Sequence, residues 1–101
     1  MDFEKLFTKG FTKGFTVYSK SGCNNCTKVK TLLKDKNLIF NVIECDDYLI
    51  EDKENFLLFI KELSDKECNL FPIVFYKSAF IGGYNETEIL IDKLFLSFEE
   101  I

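Results

Sequence analysis

Phe15-Thr16-Val17-Tyr18-Ser19, then Lys20-Ser21-Gly22, then Cys23-Asn24-Asn25-Cys26: this stretch decides the fold. Phe15 to Ser19 is rich in β-branched and aromatic residues, which predicts a strand. Ser21-Gly22 closes it. Beyond Cys23 the period changes. Cys26, Val29, Leu32 and Leu33 fall at i, i+3, i+6 and i+7, while Lys28, Lys30 and Lys34 fall elsewhere. That spacing predicts an amphipathic helix, and Asn37 suits its stop. Leu38 to Glu44 is again apolar and β-branched, so a second strand follows. A strand, a helix and a strand in this order demand a parallel pair with a right-handed crossover.

Downstream, Asp46-Asp47 begins an acidic stretch. Asp52 to Leu63 reads as a second helix, with Phe56, Ile60 and Leu63 on its buried face. Phe71 to Tyr76 is a third strand, opened by the only proline of the chain, Pro72. A strand tolerates proline at its first residue. Lys77-Ser78 makes a turn, and Ala79-Phe80-Ile81 forms a short fourth strand ended by Gly82-Gly83. The last two strands read as a hairpin. Thr87 is expected to precede a final helix that carries Leu90, Ile91, Leu94 and Phe95 on one side. Upstream, Phe7-Thr8-Lys9-Gly10 is nearly repeated by Phe11-Thr12-Lys13-Gly14. Two such copies are too short for a repeat architecture, which needs periods of ~20–50 residues. Residues 1–14 therefore read as a short helix (Phe3, Leu6, Phe7) and a glycine-rich lead-in. The expected order is β-α-β-α-β-β-α. No break in composition divides the chain, so residues 1–101 are expected to form a single domain.

Composition narrows the function. The 101 residues carry 13 lysines and 17 acidic groups, a net charge of −4, and 47% are hydrophobic. That apolar share excludes intrinsic disorder and supplies one core without staples. There is no histidine. No Ser-His-Asp or Cys-His catalyst can form, and no His-ligated metal site. There is no arginine either, which argues against bidentate phosphate recognition, and the acidic balance argues against nucleic acid as a partner. No apolar run approaches the ~20 residues of a membrane-spanning helix, so no membrane partner is expected. Met1 to Gly10 lacks the apolar stretch of a secretory signal. A cytoplasmic location is therefore expected, where cysteines stay reduced. Lysine as the sole strong cation, with many Asn, Ile and Phe, fits an AT-rich genome such as that of a large DNA virus or a parasite.

A C-x-x-C at the junction of a strand and a helix is a redox motif candidate. Its spacing has a physical reason. Cys23 is placed at the helix N-terminus, where unpaired N–H groups and the helix dipole stabilise an anion. Cys26 follows one turn later, near enough for its sulfur to reach the first. Cys23 is thus expected as the nucleophile and Cys26 as the resolving thiol, with Lys20 adding positive charge nearby. Half of a zinc site is the competing reading. Zinc takes four ligands, yet only Cys45 and Cys68 remain, so no metal is expected. Those two cysteines read as small buried hydrophobes. Gly82-Gly83 is either an ordinary turn or a place where the backbone closely approaches a ligand. The twelve phenylalanines read as core.

Three stretches in order resemble the glutaredoxin family: Val17 to Cys26, then Phe71-Pro72, then Gly82-Gly83-Tyr84-Asn85-Glu86. With the element order, the resemblance covers nearly the whole chain. It implies an α/β, thioredoxin-like fold, a four-stranded mixed sheet with helices on both faces. It also implies a cis bond between Phe71 and Pro72. The implied activity is a glutathione-dependent thiol–disulfide oxidoreductase acting on glutathione mixed disulfides and protein disulfides. Cys23 would take the glutathionyl group, and Cys26 or a second glutathione would resolve it. Lys20 matches the lysine that pairs with the glycine carboxylate of glutathione. Phe71, beside Pro72, matches the residue whose backbone pairs with the tripeptide's cysteine. Gly83, Tyr84, Asn85 and Glu86 match the segment that receives the γ-glutamyl end. The implied partners are glutathione as co-substrate and a disulfide-bearing protein, with ribonucleotide reductase as family precedent, and a monomer is expected.

Two departures stand out. Asn24-Asn25 occupies the place of the usual Pro-Tyr, and Leu70 that of the usual Thr. They leave open a thioredoxin-like reductant that does not depend on glutathione. They also leave open a module that holds a [2Fe–2S] cluster with glutathione.

Overall fold

The computed structural model describes residues 13–99 except Asn69. The helix expected near Phe3, Leu6 and Phe7 lies outside the described residues. The elements are β1 (Phe15–Ser19), α1 (Asn24–Asp35), β2 (Phe40–Glu44), α2 (Asp46–Glu51), α3 (Lys53–Ser64), β3 (Ile73–Tyr76), β4 (Ala79–Gly82) and α4 (Tyr84–Glu99). The expected order holds, and the helical connection between β2 and β3 comes in two pieces. The extra piece, α2, spans only Asp46–Glu51 and buries no residue. Six residues are too few to show a helical period in the sequence.

The strands form one sheet in the order β2-β1-β3-β4. β1 pairs parallel with β2, with Val17 opposite Val42, and antiparallel with β3, with Val17 opposite Val74. β3 and β4 are antiparallel. Their turn places Lys77 and Ser78 at φ 48° and 71°, the left-handed pair that matches the twist of a two-residue hairpin.

β1 is buried along its whole length, because helices cover both sheet faces. Successive side chains of a strand point to opposite faces, and two cores result. On one face Tyr18, Ile73 and Phe75 meet Phe56, Phe59 and Ile60 of α3. On the other, Phe15, Val17 and Val74 meet Val29 and Leu33 of α1 and Ile91 of α4. Burying one such side chain contributes roughly 1.5–3 kcal/mol, so the first cluster anchors α3 to one face of the sheet and the second anchors α1 and α4 to the other.

The end of α1 follows the sequence signal. Asn37 takes the left-handed conformation, φ 56°. Its N–H donates to the Lys34 carbonyl at 3.1 Å, and the Leu38 N–H donates to the Leu33 carbonyl at 3.0 Å. These two bonds are a Schellman cap. The start of α4 differs from the reading of Thr87 as the residue before the helix. The helix begins three residues earlier, at Tyr84. Gly83 caps it, and Glu86 reaches back to the Gly83 N–H at 2.8 Å, the carboxylate half of a capping box. Thr87 lies inside the first turns, and its hydroxyl donates to the Gly83 carbonyl at 2.8 Å.

Candidate active site

Cys23 is the N-cap of α1, in extended backbone at φ −106° and ψ 107°. Its sulfur accepts the Cys26 N–H at 3.1 Å. That N–H is one of the first-turn donors with no partner inside the helix, and the positive end of the dipole points the same way. A sulfur in this position is best placed to carry negative charge. Cys23 is partly exposed, and its thiol faces the Phe71 carbonyl oxygen at 3.5 Å. Cys26 lies one turn deeper and is only 1% exposed. Burial, and then its Cys23 neighbour, push the Cys26 thiol up from its ordinary value. The two thiols are thus unequal, one accessible at a helix end and one buried behind it.

The segment ahead of Cys23 is tied down by a residue that the sequence did not single out for this. The Asp46 carboxylate, at the start of α2, accepts the Ser21 N–H at 2.9 Å and the Ser21 hydroxyl at 2.5 Å. These bonds hold the Asp46 carboxyl below its usual value. Lys20 lies in the same segment, with its ammonium 5.6 Å from the centre of the Phe71 ring.

Phe71 and Pro72 are joined by a cis peptide bond, as the resemblance implies. They line one side of a groove of about 480 Å³, and Gly83, Tyr84, Asn85 and Glu86 line the other. That volume falls within the ~300–1,000 Å³ of small-ligand sites. Six of the seven residues expected to bind the tripeptide therefore meet at one groove. The seventh, Lys20, does not line it; its ammonium lies over the ring of Phe71, which does. Asn25, between the two cysteines, lines the groove too, as do Leu70 and Cys68. Leu70 is 86% exposed there.

The far wall is the first turn of α4. The Gly83 N–H is committed to Glu86, while the Tyr84 and Asn85 N–H groups belong to the turn that has no intrahelical acceptors. A carboxylate placed there meets backbone donors and the helix dipole. Tyr84 donates its hydroxyl to Glu88 at 3.0 Å, which raises the phenol above its ordinary value.

The remaining cysteines divide. Cys45 is fully buried, in keeping with a small hydrophobe, and burial pushes its thiol up to about 12. Cys68 departs from that reading: it is half-buried at the groove, 3.6 Å from the Ser64 hydroxyl. Among the described residues no three His, Cys, Asp or Glu side chains gather as metal ligands. No described helix is long and apolar enough to cross a membrane.

The glutaredoxin family model matches residues 15–81. Glutaredoxin 1 of Rickettsia felis is 32% identical over 83 residues, covering 77% of this chain and 76% of the relative. Among solved structures, glutaredoxin 1 of Francisella tularensis, complexed with cacodylate, superposes with a TM-score of 0.69 at 23% identity, covering 80% of this chain and 94% of that one. A buckwheat glutaredoxin–glutathione complex superposes with a TM-score of 0.62 at 25% identity, covering 78% and 69%.

Proposed function

Because the chain belongs to the glutaredoxin family, we propose that it reduces glutathione mixed disulfides and protein disulfides through Cys23 and Cys26, with glutathione as co-substrate. The observation that carries this reading is the Cys23 sulfur. It sits at the N-cap of α1, accepts the Cys26 N–H at 3.1 Å and faces the Phe71 carbonyl.

On a glutathionylated protein, the Cys23 thiolate attacks the glutathione sulfur. The protein thiolate leaves and takes a proton, and Cys23 carries the glutathionyl group. A second glutathione thiolate attacks that sulfur, giving glutathione disulfide and regenerating Cys23. On a protein disulfide, Cys23 bonds to one substrate sulfur and the other leaves. Cys26 then attacks the Cys23 sulfur, and the substrate departs as a dithiol. The Cys23–Cys26 disulfide is returned to thiols by two glutathiones. In each exchange one S–S bond forms as one breaks.

Three features support glutathione as the ligand. The segment Phe71-Pro72, just ahead of β3, offers the Phe71 N–H and carbonyl to an extended peptide, in the manner of β-augmentation. The first turn of α4 offers Tyr84 and Asn85 N–H groups to the α-carboxylate. Lys20 offers a cation to the glycine carboxylate. An exposed ion pair is worth only ~0–1 kcal/mol, so the backbone contacts must supply most of the affinity. A relative of known structure, the buckwheat protein, is a glutathione complex.

Titration of the amide resonances with a non-reactive glutathione analogue tests the reading. Shifts centred on Lys20, on Phe71-Pro72 and on Gly83 to Glu86 are expected. Turnover of a glutathionylated peptide should proceed with glutathione and its reductase. If no shifts appear at millimolar ligand and only thioredoxin reductase sustains turnover, the chain is a thioredoxin-type reductant.

A further inference from the structure

One buried side-chain oxygen among the described residues has no hydrogen-bond partner: the Ser19 hydroxyl. Ser19 is the last residue of β1 and is 0% exposed. Native proteins seldom leave such a group unpaired. Its carbonyl is used, accepting the Cys45 N–H at 2.8 Å. The orphaned hydroxyl lies beside the Cys26 sulfur, close enough to act on its charge, with no aligned hydrogen bond between them while Cys26 is a neutral thiol.

We propose that Ser19 is a positioning residue for Cys26, whose buried hydroxyl is held in reserve and donates to the Cys26 sulfur when that sulfur becomes a thiolate. This rests on the reading of Cys26 as the resolving thiol. Resolution requires Cys26 to lose its proton and attack the Cys23 sulfur, while the departing substrate sulfur gains one. Burial opposes that ionisation, and the Cys26 N–H at the helix end is already given to the Cys23 sulfur. Four groups face Cys26. The Lys20 backbone N–H and the Ser19 hydroxyl favour the thiolate, the Cys23 thiol disfavours it, and the Cys45 thiol lies close enough to interact with it. No charged side chain stands among them. The hydroxyl is thus the one side-chain donor in this set besides the weakly donating thiols, and a small buried serine leaves it free to rotate toward the sulfur. A hydroxyl already paired elsewhere would have to break a bond first.

The test is the ionisation of Cys26 in the reduced chain, followed by its 13Cβ shift against pH. Ser19→Ala should raise the midpoint by about one pH unit, the scale expected for one hydrogen bond to a charged group. Ser19→Thr, which keeps the hydroxyl, should return it toward the original value. An unmoved midpoint in Ser19→Ala overturns the proposal, and so does a rise that Ser19→Thr shares in full. Should Ser19→Ala fail to fold, the unsubstituted chain gives the answer. The Ser19 hydroxyl proton must move downfield with the same midpoint as Cys26, and a hydroxyl proton indifferent to that titration refutes the idea. Because the readout is Cys26 ionisation alone, its failure is distinct from failure of the resolving role. That role is read from Cys26→Ser on protein disulfides.

Discussion

Gly82 and Gly83 are adjacent, yet the structure predicts very unequal costs for the same substitution. Gly82 has φ +135°, and a Cβ built there would lie 2.6 Å from Glu86 Oε1 and 2.8 Å from Glu86 Cγ. Gly82→Ala therefore forces a strained backbone, at about 1–3 kcal/mol. It also displaces the carboxylate that accepts the Gly83 N–H, and a lost hydrogen bond costs about 0.5–1.5 kcal/mol. The sum is a destabilisation of roughly 1.5–4.5 kcal/mol. A Cβ on Gly83 meets Glu86 Oε1 and the Pro72 carbonyl only at 3.6 Å, ordinary contact. Gly83→Ala replaces one N-cap residue by a poorer one, at below about 1 kcal/mol. Its Cβ does stand at the groove wall, so its effect should fall on glutathione affinity. Urea denaturation gives the stabilities, and titration with a glutathione analogue gives the affinities. Equal stability losses, or a larger one for Gly83→Ala, would refute the account of this turn. Unchanged affinity in Gly83→Ala would remove Gly83 from the proposed ligand site.

Two pH dependences follow from the shifted groups. The Asp46 carboxyl is held low by Ser21, so its contribution is complete above the unfolded value of ~3.9 and is lost only as pH falls through the lower folded value. The Ser21 amide proton should lose its shift with a midpoint below 3.8, and Asp46→Asn should abolish that titration and slow turnover by loosening the segment before Cys23. A midpoint at or above that value would contradict the two Ser21 bonds. Cys45 behaves in the opposite sense. Its folded value is raised from 9.0 to about 12, so the stability from keeping it neutral is present below pH 9 and declines as pH rises toward 12. Cys45→Ala should flatten that part of the stability–pH curve, and an identical alkaline decline in both proteins would show that Cys45 is not its source.

Much of this was legible in the sequence because the signals are local. The β-branched and aromatic run from Phe15 to Ser19 and the helical spacing from Cys26 to Leu33 each declare one element. Asn37 declares a cap through its tolerance of the left-handed region. The start of α4 was misplaced because Thr87 offered a familiar capping side chain, whereas the working cap is a glycine with its partner carboxylate at Glu86. α2 was missed because six residues carry no period. The contacts that finish the site are non-local. Ser21 and Asp46 lie 25 positions apart, and nothing in either residue type announces the pairing. The orphaned Ser19 hydroxyl is visible only once both sheet faces are covered. The alignment of Phe71-Pro72 with the first turn of α4 followed from the family resemblance, since no periodicity links the two segments.

The division of labour between the two cysteines is the central claim, and one measurement tests it most directly. Cys23→Ser and Cys26→Ser are each assayed on a glutathionylated peptide and on a protein disulfide. Cys23→Ser should abolish both activities, because among the described residues no other cysteine caps α1 at the groove. Cys26→Ser should keep the first, which needs one thiol, and lose the second, which needs two. Equal loss of both activities in both variants would contradict the assignment of Cys23 as nucleophile and Cys26 as resolving thiol.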